Sequence, residues 1–256
     1  MPRIGRSTAA RPRPSVGGRV VAIEGPSAVG KTEAVGVLVA DGRGVRIAEA
    51  VDRLRPRPDL DFRSDAELER LELRLLREDG RRFVEARRRA GAGATVLLDT
   101  GSLGPLTYTG GLVATGAAPP AVLARLLREA RALLRDGRWG LPDGIVFLTA
   151  PDATLRARAA TDPRGHPAGL HGRHTAIGRR EAAFYRRELA PILGRRLKFV
   201  SGSGRPGAVA RRIVSALRRF PPGRPPPRLA AEVLRRCERA APAPHFRGRR
   251  RPLPNR

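Results

Sequence analysis

The chain has 256 residues, of which 41% are hydrophobic, and this is enough for one α/β domain of about 200 residues plus tails. Its net charge of +27, from 51 basic residues against 24 acids, predicts attraction to anionic ligands. No apolar run approaches the roughly 20 residues that span a bilayer, and no signal-peptide core follows the basic N-terminus. One cysteine, Cys237, excludes an intramolecular disulfide framework and a cysteine-based zinc site, so we expect a cytoplasmic protein.

The first predicted elements surround a glycine-rich octet. Residues 1–18 carry arginine, proline and glycine but no acid, and we expect a disordered basic arm. The apolar run at residues 19–24 predicts a buried strand, and residues 32–40 predict a helix. Between them stand the eight residues G-P-S-A-V-G-K-T. The order of strand, G-x-x-x-x-G-K-T and helix is typical of a phosphate-binding loop.

Each part of the octet has a predicted role. Backbone N–H groups of the loop cradle phosphate oxygens, Lys31 reaches the β- and γ-phosphates, and the Thr32 hydroxyl binds Mg²⁺. Lys31 is one of only two lysines, so an ammonium is kept where the chain otherwise uses arginine. We therefore predict that ATP and Mg²⁺ bind at the residues Gly25, Pro26, Ser27, Ala28, Val29, Gly30, Lys31 and Thr32.

The next predicted strand brings two acids into consideration. Residues 44–49 predict a weak strand that ends at Glu49, and Asp52 follows three residues later. Phosphoryl transfer to a hydroxyl benefits from a carboxylate that orients and deprotonates it, and either acid could do so. The alternative interpretation is that both are solvated loop acids.

A long helix and a third strand follow. Ser64 caps a predicted helix over residues 65–90, with Glu67 at the capping-box spacing. Residues 94–99 predict an apolar strand that ends at Asp99. A carboxylate there can hold Mg²⁺, directly or through water, or act as a base. The alternative is a cap for the next helix.

The alternation of helices and strands continues in the second half. Helical patterns cover residues 103–115 and 120–135, and a strand at 144–149 precedes a helix at 152–160. A stretch rich in arginine, glycine and histidine then fills residues 161–173. Such a stretch could close over the phosphates and stabilise the transferring charge, or it could be a solvated basic loop. The candidate arginines in and before it are Arg156, Arg158, Arg164 and Arg173.

The last predicted elements complete a domain over residues 19–220. They are a helix, a strand and a helix, at residues 178–189, 196–200 and 207–218. Residues 221–256 hold ten arginines against two glutamates, with many prolines. We expect a basic tail without an apolar stripe long enough to dock. A short helix over residues 228–239 is compatible with the sequence. Its arginines would give nonspecific contact with nucleic acid.

Strands that alternate with helices imply a mostly parallel sheet covered on both faces, here with five strands in a three-layer α/β/α arrangement.

Residues 20–32, with Glu-Gly before the loop, resemble the start of thymidylate kinases and deoxynucleoside kinases. Residues 97–110 look like the thymidylate kinase stretch with Asp-Arg-Tyr, and residues 49–54 resemble the Glu-Pro-Val-x-x-Trp box of deoxynucleoside kinases. The resemblance implies a P-loop kinase with an arginine-rich lid and Glu49 as its base. A homodimer is compatible with the family resemblance.

Some positions depart from those families. Thr100 stands where thymidylate kinases have an acceptor-contacting arginine, and threonine cannot supply the fork that a phosphate needs. This argues against dTMP as the acceptor. The loop also resembles the Ser-Ala-Gly-Lys-Ser loop of small-molecule kinases of the chloramphenicol phosphotransferase type. The sequence thus predicts ATP-dependent transfer to a nucleoside, a nucleotide or a related hydroxylated acceptor, such as an antibiotic. A nucleotide-dependent ATPase switch and a non-catalytic ATP-binding protein are the alternatives.

Overall fold

A single parallel sheet forms the middle layer of the protein. The structure is a computed structural model that describes residues 18–161 and 168–240, with side chains described from residue 176 onward in the second range. The strands are β1 (Arg19–Glu24), β2 (Val45–Ile47), β3 (Thr95–Asp99), β4 (Gly144–Thr149) and β5 (Leu197–Ser201). They lie in the order β2-β3-β1-β4-β5, and every pairing is parallel. The five-stranded parallel sheet predicted from the sequence is confirmed.

Helices connect the strands and cover both faces of the sheet. In chain order they are α1 (Lys31–Ala40), α2 (Ala50–Arg53), α3 (Asp65–Gly91), α4 (Gly104–Ala114), α5 (Pro120–Arg135), α6 (Asp152–Ala160), α7 (Ala168–Phe184), α8 (Ala190–Leu193), α9 (Pro206–Leu217) and α10 (Pro227–Arg239). A π-helical turn at Tyr185–Leu189 continues α7. Ser64 caps α3 as predicted, because its side chain accepts a hydrogen bond from the backbone N–H of Glu67. In the described part of the chain, no helix is both long and apolar enough to span a bilayer.

The central strand shows why the fold has three layers. All of β1 except its first residue is buried, as expected for a strand covered on both faces. Val20 and Ala22 contribute to the apolar cluster beneath α3, α4 and α5, whereas Val21 and Ile23 contribute to the cluster beneath α1 and α9. Successive residues of a strand point to opposite faces, so β1 holds both helical layers on the sheet.

The structure corrects two of the predicted elements. The second strand ends at Ile47, so Glu49 is not a strand terminus but the residue that precedes α2. Helix α7 begins at Ala168, inside the stretch that we predicted to be a loop. Three glycines and three histidines within residues 165–174 suggested a loop, but tertiary packing overrides such weak local preferences.

The segment after Phe220 is the third correction. Helix α10 packs against α5 and buries a stripe formed by Ala230, Val233, Leu234 and Cys237. These residues follow the i, i+3, i+4, i+7 spacing of a helix face, so an apolar stripe that we did not expect is present. The prolines precede the helix rather than interrupt it, and Pro227 occupies its first position. The tail residues 241–256 lie outside the described residues.

Candidate active site

The glycine-rich octet forms a loop at the carboxyl end of β1, where strand order reverses between β3 and β4 and where parallel sheets bind ligands. Gly25 has a φ of 134°, and a Cβ there would lie 2.5 Å from the carbonyl oxygen of Leu148, so only glycine fits. Gly30, with a φ of 94°, precedes the first residue of α1. The Lys31 Nζ donates hydrogen bonds to the carbonyl oxygens of Gly25 (2.9 Å) and Pro26 (3.1 Å). An ammonium and a helix N-terminus therefore face the same space, as an anion site requires.

A cavity of about 540 Å³ opens from this loop. We call the part lined by the octet, Arg158 and the β5–α9 connection the loop end. The remainder is lined by residues from α2, α3, α4 and α7 and by the segments that precede α2 and α3, and we call it the helical end. The charged and polar residues of the helical end are Glu49, Arg57, Glu72, Asp79, Arg82, Thr100, Tyr108 and Glu181.

The four candidate arginines have different positions. The Arg158 guanidinium donates to the carbonyl oxygens of Val29 (2.8 Å), Gly202 (3.1 Å) and Gly204 (3.1 Å). It thereby joins the phosphate loop to the β5–α9 connection. Arg156 is exposed and does not line the cavity. Arg164 lies outside the described residues, as does the side chain of Arg173.

The structure separates the two candidate bases. Glu49 is partly buried and lines the cavity. Asp52 does not line it, because it lies within α2 and forms an ion pair with Arg57 at 3.2 Å. Of the two carboxylates, Glu49 is therefore the one that a ligand in the cavity could meet.

Asp99 lies close to the loop but does not line the cavity. It pairs in register with Ile23 of β1 and is fully buried. Its Oδ2 accepts a hydrogen bond from Arg46 at 2.7 Å, whereas its Oδ1 has no partner among the described residues. One carboxylate oxygen thus belongs to an ion pair between β2 and β3, and the other stays available for hydrogen bonding.

A guanidinium does reach Thr100, but it comes from α3. Arg82 is 1% exposed and donates to the carbonyl oxygens of Asp99 and Thr100, each at 2.7 Å. It also forms an ion pair with Asp79 of the same helix. The arginine that is missing from position 100 therefore has a spatial counterpart that the sequence comparison did not suggest.

Sequence reasoning missed most of the charged residues at the helical end. Glu72 and Asp79 are each only 3% exposed although they carry carboxylates. Glu72 stands four residues after Leu68 and four before Leu76, in the middle of the buried face of α3. Because charged residues are rarely fully buried unless they are paired, an acid inside an apolar stripe is the signal that could have found it.

Helix α7 brings Glu181 to the same space. A Cβ at Gly178 would lie 2.5 Å from the Cβ of Pro26, so α7 approaches the phosphate loop through a residue without a side chain. Ile177 of α7 packs against Gly111 of α4 in the same way, since a Cβ at Gly111 would lie 2.8 Å from the Cγ2 of Ile177. The Glu181 carboxylate then accepts a hydrogen bond of 2.8 Å from the Thr107 hydroxyl.

Burial controls the protonation of these acids. It raises the pKa of Glu24, at the end of β1, to about 7, although the backbone of Gly101 opposes the shift. Burial also raises the pKa of Glu181 to about 7, against the effects of Thr107 and Lys31. For Glu72, burial raises the pKa well above its usual range, and the charges of Asp79 and Glu181 raise it further. Perturbed carboxyl groups around one cavity are typical of functional sites.

Comparisons with known proteins bear on the fold. No protein-family model matches the sequence, and no curated protein matches it. Solved structures do match. Deoxyadenosine kinase from M. mycoides with bound dATP has a TM-score of 0.61 at 13% identity, over 78% of this chain and 99% of that one. The same kinase with dCMP and dCDP as products has a TM-score of 0.59 at 12% identity, over 78% and 98% of the two chains. The chain therefore has the α/β fold of these two kinase structures.

Proposed function

We propose that this protein is a kinase that transfers the γ-phosphoryl group of ATP to a hydroxyl group of a small, nucleoside-like acceptor. One observation carries the proposal: a single cavity joins the phosphate loop to the helical end, where Glu49 supplies a carboxylate. Its volume of about 540 Å³ lies in the range of small-molecule sites. A nucleotide-dependent switch has no need for such a second compartment.

The loop end suits the nucleotide. In the proposal, the backbone N–H groups of the octet hold the phosphate oxygens, and Lys31 exchanges its loop carbonyl partners for the β- and γ-phosphates. Gly202 and Gly204 line the same end and would border the adenine. Because Arg158 holds these glycines against the loop, we assign it a positioning role. The roles of Arg156, Arg164 and Arg173 near the transferring phosphoryl group stay predictions.

The residues at the loop end fit a magnesium ion that arrives with the nucleotide. Among the described residues, no group of three or more His, Cys, Asp or Glu could hold a metal ion by itself. Mg²⁺ in kinases commonly takes most of its ligands from phosphates and water, so such a cage is not needed. Thr32 lines the cavity and would hold the ion directly. Asp99 is fully buried and does not line the cavity, so its role toward the ion stays a prediction. When bound, the ion neutralises phosphate charge.

Glu49 is the proposed base. Its carboxylate takes the proton as the acceptor oxygen forms its bond to the γ-phosphorus. The bond between that phosphorus and the β–γ bridging oxygen breaks, so the products are ADP and the phosphorylated acceptor. Lys31 stabilises the charge that develops on the phosphates.

A transfer screen tests the proposal. Purified protein with Mg·ATP is incubated with nucleosides, nucleoside monophosphates and hydroxylated antibiotics, and ADP and phosphorylated product are measured together. We expect ADP formation that depends on one class of acceptor and equals product formation. A steady ATPase rate that ignores every acceptor would contradict the kinase and support the switch. ATP binding without any turnover would support the non-catalytic alternative. A cytoplasmic location stays a prediction.

A further inference from the structure

The helical end contains a buried carboxylate that the protein does not satisfy. Glu72 is 3% exposed and lines the cavity, yet it makes no hydrogen bond or ion pair with any described residue. A buried carboxyl group without a hydrogen-bond partner is costly whether or not it is ionised, so such groups are normally paired. The missing partner of Glu72 is therefore expected to be part of the ligand that fills the helical end.

The surroundings of Glu72 decide the charge of that partner. Asp79 and Glu181 act on Glu72 as like charges, and Glu49 lines the same end. Each described cation there has an acid partner. Arg82 pairs with Asp79, although its Nε has no partner, and Arg57 pairs with Asp52 at the surface. Among the described side chains, in residues 18–161 and 176–240, four acids and two arginines line the helical end.

Without a ligand, burial and the neighbouring acids favour the protonated form of Glu72. A positive charge on the ligand would favour the ionised form instead and would form a charge-assisted hydrogen bond with it. A phosphate at this end would favour the protonated form of Glu72 and would gain no such charge-assisted hydrogen bond from it. The lack of an arginine at position 100 agrees with this, since Arg82 stands there already paired.

We propose that the acceptor is a hydroxylated amine, whose protonated nitrogen binds to Glu72 between Asp79 and Glu181 while its hydroxyl group faces Glu49. The inference rests on the proposed kinase function and narrows its substrate class. It predicts an order of affinity at the helical end, with cationic acceptors first, neutral acceptors second and phosphorylated acceptors last.

Binding measurements test that order separately from catalysis. Isothermal titration at pH 7 in the presence of Mg·ADP compares ligands of different charge. The cationic compounds are kanamycin and 3′-amino-3′-deoxyadenosine, and the neutral ones are 3′-deoxyadenosine and chloramphenicol. The anionic compound is dAMP. The two adenosines differ only in the amine. We expect the amine to improve affinity at least about tenfold, the size of a charge-assisted hydrogen bond. Equal or tighter binding of the neutral partner, or no binding of either cationic compound, would overturn the inference.

Variants locate the effect. Glu72→Gln keeps the shape of the side chain and should remove most of the preference for the amine, with the affinity for Mg·ADP unchanged. Glu69→Gln is the matched control, because Glu69 lies on the same helix, pairs with Arg125 and is not part of this cavity. If Glu72→Gln does not fold, Glu181→Gln serves the same test. A preference that survives in the folded variant would overturn the assignment.

The same compounds separate the two proposals. Tight binding of the cations without phosphate transfer to any acceptor would sink the kinase function and leave the charge inference standing. Transfer to neutral nucleosides, with no gain from the amine, would support the kinase and overturn the charge inference.

Discussion

The two ends of the cavity are built in different ways. The loop end takes most of its residues from one segment, residues 25–32, and works largely through backbone groups and one ammonium. The helical end takes its residues from elements spread between Glu49 and Glu181 and works through side chains. A site made by one segment has a fixed spacing in the sequence, whereas a site made by several helices has a spacing only in space. The first can be identified from a motif, and the second cannot.

The ends also differ in charge. The loop end carries Lys31 and Arg158, while the helical end carries the four acids Glu49, Glu72, Asp79 and Glu181 against the two arginines Arg57 and Arg82. Cations at one end and an excess of acids at the other suit a nucleotide in the first part and a neutral or cationic acceptor in the second. Variants at the two ends should therefore give different kinetic signatures.

The largest effect is expected at the loop end. Lys31→Ala should lower kcat/KM for phosphate transfer at least about a thousandfold, because the other described cation of the loop end, Arg158, is held by three backbone carbonyl oxygens. The measurement is ADP formation with the best acceptor of the screen, together with a thermal midpoint that shows the variant is folded. Lys198→Ala is the matched control, since Lys198 is the other lysine of the chain and lies in β5.

The control should keep its rate. If folded Lys31→Ala protein turns over as fast as the parent, then the loop end does not perform the chemistry. The comparison between a phosphate-binding end and an acceptor-binding end would then be wrong.

The sequence predicted the parts of the molecule that depend on local pattern. The strands, the phosphate loop, the Ser64 cap and the long α3 each have a spacing or a capping residue of their own. The edges of β2, the start of α7 and the docking of α10 depend on what packs against them, so they could not be predicted in this way. The same limit applies to the site. Glu49 was proposed as the end of a strand that stops at Ile47, and through the resemblance to a kinase motif. Glu72, Arg82 and Glu181 come together only when α3, α4 and α7 pack around the cavity.

The second prediction concerns the support behind the helical end. Helix α10 packs on α5, and α5 packs on α3 and α4, which carry part of the helical end. Leu234→Ala should therefore cost about 3 kcal/mol of unfolding free energy, as for other fully buried leucines. Urea unfolding measures the loss. Ile213→Ala in α9 is the matched variant behind the loop end, because α9 packs on α1 in the opposite layer.

The pair should differ in binding. At a temperature where both are folded, Leu234→Ala should bind Mg·ADP within about twofold of the parent, since local loosening stays near the altered contact. Ile213→Ala should weaken that binding more. The reverse order would show that the two ends do not have separate supports.

The third prediction distinguishes the two acids near α2. Glu49→Gln should lower kcat about a hundredfold with a small change in KM for ATP, because a positioned base contributes on that scale. Asp52→Asn, three residues away and paired with Arg57, should stay within about threefold of the parent, as most surface changes do. Steady-state kinetics against ATP and acceptor measure both. A larger loss of kcat for Asp52→Asn than for Glu49→Gln would show that Glu49 is not the base.

The smallest expected effect is a dependence of stability on pH that belongs to the acids of the helical end and to Glu24 behind it. Glu24 and Glu181 have a pKa of about 7 in the folded protein, compared with 4.5 for an unperturbed glutamate. The folded state thus holds protons that the unfolded state has released between about pH 4.5 and 7, so the free energy of unfolding should fall as pH rises through this range. A fully shifted group contributes at most about 1.4 kcal/mol per pH unit, so replacing one of the two glutamates should reduce the slope by no more than this. Urea unfolding at pH 5.5, 6.5 and 7.5 measures the slope, which should flatten in Glu24→Gln and in Glu181→Gln but not in Glu69→Gln. An unchanged slope in both variants would show that other groups titrate in this range and that burial does not keep Glu24 and Glu181 protonated.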